Sequence, residues 1–135
     1  MALTLSPAHE AARQQAARLP ALQESHARLI ASPGESVVQL FEGSPDTGTL
    51  IAELQMAPAV LTLDAENVLI QTTAAIEGQA TIEGTVSSAR ILDGTGAWWA
   101  DATVTDDEGN GNIKLQETTL QAGAFARITS AVFQG

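Results

Sequence analysis

Beyond residue 34 the chain alternates apolar and polar positions in short runs separated by Gly, Pro, Asn and Asp, the pattern of strands with one buried face. The runs fall at 36–42 (SVVQLFE), 49–56 (TLIAELQM), 60–64, 68–72, 81–85 and 87–93 (SSARILD), as two strands or one continuous one, 97–105 (AWWADATVT), 113–119 (IKLQETT) and 124–133 (AFARITSAVF). Gly43-Ser44-Pro45-Asp46 and Asp93-Gly94-Thr95-Gly96 supply turn chemistry, the second as a hairpin. No helical period interrupts these strands, which argues against a parallel α/β sheet and predicts an antiparallel β-sandwich or barrel-like domain over residues 32–135.

Residues 1–31 read differently. Ser6-Pro7 is a helix-start signal, and AHEAARQQAARL after it consists of good helix formers. Pro20 predicts a break or kink, giving a helix over 7–18 and a second piece over 21–31 in an N-terminal arm. Its apolar stripe of Ala12, Ala16, Leu19, Leu22, Leu29 and Ile30 is thin, suited to packing on another surface. Ala31-Ser32-Pro33-Gly34 ends the arm and marks the one internal boundary.

Two adjacent strand residues, Trp98 and Trp99, must send their rings to opposite faces. One then anchors the core and the other faces a second layer, a partner or solvent. Phe125 and Phe133 are even-spaced on one face of the last strand, with Ile128 and Val132 on the other, as in a central strand or one at a subunit contact.

Charge separates the two regions. The chain of 135 residues has a net charge of −10, of which residues 1–28 carry +1 and residues 29–135 carry −11. Such acidity repels phosphate backbones and anionic lipid, so neither nucleic acid nor a membrane is an expected partner. An arm bearing Arg13, Arg18 and Arg28 could dock on the acidic body of a neighbouring copy. The expected interface is therefore Arg13, Arg18, Leu19, Leu22, Arg28, Leu29 and Ile30 of the arm, with Trp98 and Trp99 of the body. The absence of cysteine removes disulfides, thiolate nucleophiles and Cys-ligated zinc. With no apolar leader segment and no long apolar run, the chain reads as soluble and unprocessed.

Candidate chemistry is sparse. His9 and His26 both lie in the arm, and no nucleophile elbow or phosphate-binding loop occurs. A carboxylate pair drawn from Asp101, Asp106, Asp107 and Glu108 would suit glycoside hydrolysis, but too few aromatic residues remain to build a sugar cleft. The stretch 106–117 approximates a calcium loop at Asp106, Glu108, Asn110, Gly111 and Glu117, with Glu108 standing where Asp or Asn is usual. Strands flank it, so an ordinary acidic hairpin loop is expected, with no catalytic residue, metal or other cofactor.

The glycines and strand motifs from Gly84-Thr85 through Ala89-Arg90-Ile91-Leu92-Asp93-Gly94 to Gly96-Ala97, then 113–119, Ala122-Gly123 and Thr129-Ser130-Ala131, resemble those of small proteins encoded among the structural genes of tailed bacteriophages and prophages. Residues 40–42, 45–49 and 50–54, and the opening Ala2-Leu3-Thr4-Leu5-Ser6-Pro7, are similar too. The resemblance implies a non-enzymatic virion component of the capsid, neck or tail, assembled in the host cytoplasm as a homo-oligomer alongside other virion structural proteins. The alternative is a carbohydrate- or host-surface-binding β-sandwich module, calcium-assisted, using Trp98 or Trp99. An exposed tryptophan beside polar side chains favours the alternative; one buried against a second copy favours the virion component.

Overall fold

A computed structural model describes residues 3–31 and 34–134; Ser32 and Pro33, at the expected arm–body boundary, lie outside the described residues. Ser6 caps the helix α1 (Pro7–Leu29), its Oγ accepting from the His9 amide at 3.2 Å, and Pro7 occupies the first turn, where a missing N–H costs nothing. The helix runs through Pro20 without interruption, so of the expected break or kink the break into two helical pieces does not occur. An internal proline costs about 3 kcal/mol. Tertiary contacts on both sides offset it. Gln15 Nε2 donates to the carbonyls of Ala65 and Glu66 at 3.3 and 2.6 Å, and Leu22 and Leu29 are buried to 3% and 0% exposure. Ala16, whose carbonyl loses its intrahelical donor at Pro20, is exposed and open to water.

The strands are β1 (Ser36–Glu42), β2 (Thr49–Met56), β3 (Leu61–Asp64), β4 (Leu69–Thr72), β5 (Ile76–Gln79), β6 (Gly84–Thr85), β7 (Ser88–Leu92), β8 (Trp98–Asp106), β9 (Ile113–Leu115), β10 (Thr119–Leu120) and β11 (Phe125–Gln134), with a short 3-10 turn at Pro58–Val60. The fold is mainly β, as the alternation predicts. One sheet runs β2-β1-β7-β8-β9-β11-β4-β3, with β5 also on β11, while β6 and β10 form a small second sheet. The large sheet curls into a barrel-like wall, and the segment after β5, which lies on β11, reaches back to the β2 end: Ala80 bridges Ala52 of β2, and the Thr81 amide donates to the Ile51 carbonyl at 2.9 Å. Gly78 permits this approach, because a Cβ there would come within 2.7 Å of Leu54.

Four details depart from the expected strand pattern. β5 is a strand although IEGQ carries one large apolar residue, and the expected runs at 81–85 and 113–119 are cut short, giving only β6 from the first and β9 with β10 from the second. The acidic loop is not a hairpin: residues 107–112 double back so that β9 pairs parallel to β8, Val104 opposite Ile113. Thr105 Oγ1, accepting from the Gly111 amide at 3.0 Å, holds the loop against the strand it leaves. In β11 a bulge between Ile128 and Ser130 inverts the alternation. Ala126 and Ile128 face inward before it and Ala131 and Phe133 after it, so Phe125, at 70% exposure, does not share a face with Phe133.

The core joins Leu22 and Leu29 of α1 to Leu40, Leu54, Ile70, Ile91 and Leu115 of the sheet. The helix is thus packed across its own barrel wall. This corrects the expectation that Leu22 and Leu29 present an apolar stripe to a neighbour.

Candidate functional site

Arg90 of β7 and Asp101 of β8 are cross-strand partners, which places both side chains on the outer face of the wall. The guanidinium grips the carboxylate with two bonds, Nε to Oδ1 at 2.9 Å and Nη2 to Oδ2 at 3.2 Å. Nη2 also donates to Asp46 Oδ1 at 2.8 Å, from the turn after β1. Trp98, three residues before Asp101, donates from Nε1 to the same Oδ1 at 3.1 Å and lies with its ring centroid 4.3 Å from the guanidinium carbon. Arg90 is therefore packed between two carboxylates and an indole, and its side chain keeps only 20% exposure. Trp98 keeps 63%.

The electrostatics follow from these bonds. Hydrogen bonding to Arg90 holds the Asp101 carboxyl below the ordinary carboxylate range, against a smaller opposing effect of burial. Asp101, with Asp46, pushes the guanidinium further up. A carboxylate held low and a guanidinium held high keep both groups charged near neutrality, so the cluster presents a fixed shape, fixed charges and an indole surface.

Trp99, the neighbour with the opposite orientation, is half-buried; its Nε1 donates to the Ser25 carbonyl of α1 at 2.9 Å, and its ring meets Phe133 edge-on. Between β8 and the second half of α1 lies a groove of about 670 Å³, lined by Ala21, Ser25, Arg28, Trp98, Trp99 and Asp101 among others. Successive residues from Trp98 to Ala102 line it, so the strand presents its edge to the groove as well as a face.

The other expected site residues are dispersed. Arg13 and Arg18 are exposed on α1, Leu19 and Ile30 are half-buried, and Arg28 pairs along the helix with Glu24 at 3.0 Å. In the acidic loop Asp106 Oδ1 accepts from the amides of Glu108 and Gly109 at 3.0 and 3.1 Å, a local turn, and Asn110 is exposed. Glu117 accepts from the Thr119 amide at 3.2 Å, beyond the end of β9. Among the described residues no three His, Asp or Glu side chains converge as metal ligands. His26 sits with Nε2 3.1 Å from the Leu61 carbonyl, and His9 is exposed at the start of the helix. Among the described residues no helix is long and apolar enough to cross a membrane.

Arg90 and Asp46 escape a reading of the sequence by motif. A lone arginine at an outward strand position is one faint signal for the first; Asp46 comes to it only through the fold, 44 residues away in the chain. Fold and site together define a mainly β, barrel-like domain with a packed helix and an outward tryptophan clamped beside a groove. Compared with protein-family models, curated proteins and solved structures, the chain matches none.

Proposed function

We propose that this chain is a non-enzymatic structural component of a tailed-bacteriophage particle, assembling with copies of itself and with other particle proteins through the face around Trp98. What supports this reading over the glycan-binding one is the resemblance of the strand and turn motifs; on it, Trp98, exposed at 63% in the single chain and held in place by Asp101 and Arg90, is the anchor that a second copy would cover. A large aromatic side chain already fixed in one orientation loses little conformational freedom on binding, which is the property of an interface anchor. The resemblance of the strand and turn motifs to small phage structural proteins supports the setting, and the −10 charge argues against nucleic acid as the partner. Trp98→Ala tests it: incorporation into particles should fall at least about tenfold while thermal stability changes little. Normal incorporation of the folded variant would refute the role of this face.

The exposed indole beside Arg90, Asp46 and Asp101 favours a second reading, a glycan- or host-surface-binding module, since a free ring surface rimmed by hydrogen-bonding groups suits a sugar. Glycan-array binding by the wild type, lost in Trp98→Ala, would select it over the first.

A further inference from the structure

The edge of β8 is only partly paired. Against β7, the Val104 amide donates to the Ser87 carbonyl at 3.4 Å, so Val104, Ala102 and Ala100 direct their backbone groups toward that neighbour. Thr103 and Asp101 direct theirs the other way. Strand β9 covers this second edge at 104–106, and Asn112 Oδ1 takes the Thr103 amide at 3.3 Å. The Asp101 N–H and C=O are left facing the groove, with room for an extended segment between β8 and α1.

A segment of matching character exists in the same chain. Residues 3–6 (LTLS) precede α1 outside any helix or strand, alternate apolar and polar with the period of a strand, and leave Leu3 85% exposed. They cannot fill their own groove. The groove begins at Ala21, and the rise along α1 from Pro7 to that point is about 21 Å, whereas four extended residues span at most about 14 Å. We infer that residues 3–6 of one copy add as a strand to the Asp101 edge of β8 in a second copy, with Leu3 and Leu5 against the apolar lining provided by Ala21 and Trp99. Main-chain bonds then supply affinity and the two leucines fix register. Because donor and acceptor surfaces differ, the contact is head-to-tail and closes into a ring if the rotation between copies permits. The inference rests on the self-assembly part of the function proposed above.

The cysteine-free chain allows a direct test. Full-length Thr4→Cys and Gln134→Cys variants, mixed under mild oxidation, should form a mixed disulfide between copies, Gln134 being on the groove wall. Introducing Leu3→Asp and Leu5→Asp into the first variant should abolish it and reduce self-association at least about tenfold in light scattering, while exchange of the Asp101 amide slows at least about tenfold on association of the wild type. Self-association without the mixed disulfide and without Asp101 protection would overturn the inference and leave assembly through another surface standing. A chain that stays monomeric at high concentration overturns copy-to-copy addition, and the Trp98→Ala incorporation experiment then judges the particle role separately.

Discussion

Trp99 meets Phe133 edge-on, ring centroids 5.4 Å apart and planes at 73°, while its indole N–H holds the Ser25 carbonyl at 2.9 Å. One side chain thus couples the last strand, β8 and the helix. Trp99→Leu removes the edge contact and the bond to α1 and should destabilise the fold by about 2 kcal/mol. Urea denaturation checks it; a change under half that size would show that the helix docks independently of Trp99.

The buried leucines of α1 give a second measurement. Leu29 has 0% exposure, so Leu29→Ala should cost about 3 kcal/mol, with Leu22→Ala somewhat less, whereas the exposed Arg13→Ala should be near neutral. If both leucine variants melted like the wild type, the helix would not be part of the core in solution.

Gly94 sits where the helix exit crosses the hairpin between β7 and β8. A Cβ there would lie 1.7 Å from the Ala31 carbonyl oxygen, and the Gly34 amide donates to the Gly94 carbonyl at 2.8 Å. Gly94→Ala should therefore cost about 2–4 kcal/mol, while Gly96→Ala, which meets no atom but sits at φ +89°, should cost about 1 kcal/mol. Thermal melts that rank the two variants in the opposite order would contradict the close approach.

Acid sensitivity follows from three carboxyls. The Asn67 side chain, the Thr95 hydroxyl and Arg90 are the main partners that hold Asp64, Asp93 and Asp101, respectively, below their ordinary values. Each binds its proton more weakly in the folded chain than in the unfolded one, so its stabilisation is full above about pH 4 and disappears as pH falls through the lower folded values. Tm should be flat from about pH 5 to 7 and fall below about pH 4, with a shallower fall in Asp93→Asn. A Tm that rises on acidification would mean that relief of the −10 net charge outweighs these bonds.

Much of the strand framework is legible in the residues themselves. The bounds of β1 and β2 and the turn at 93–96 follow from alternation and turn chemistry, because a strand with one buried face must write its period locally. The helix start at Ser6-Pro7 is equally local. What the sequence could not show are pairings set at long range. β5 exists because Ile76–Gln79 finds β11 and the edge of β2, not because its residues are strand-prone. The bulge after Ile128 turns Phe125 out and Phe133 in, and no spacing records a bulge. Pro20 stays helical because contacts distant in the chain hold both of its flanks. At the site, sequence alone requires Trp98 and Trp99 to face opposite ways, since adjacent strand residues do. Only the packing of α1 against β8 decided which one the core takes, and only the approach of Asp46 to Arg90 across the folded wall fixed the other as a clamped, outward ring.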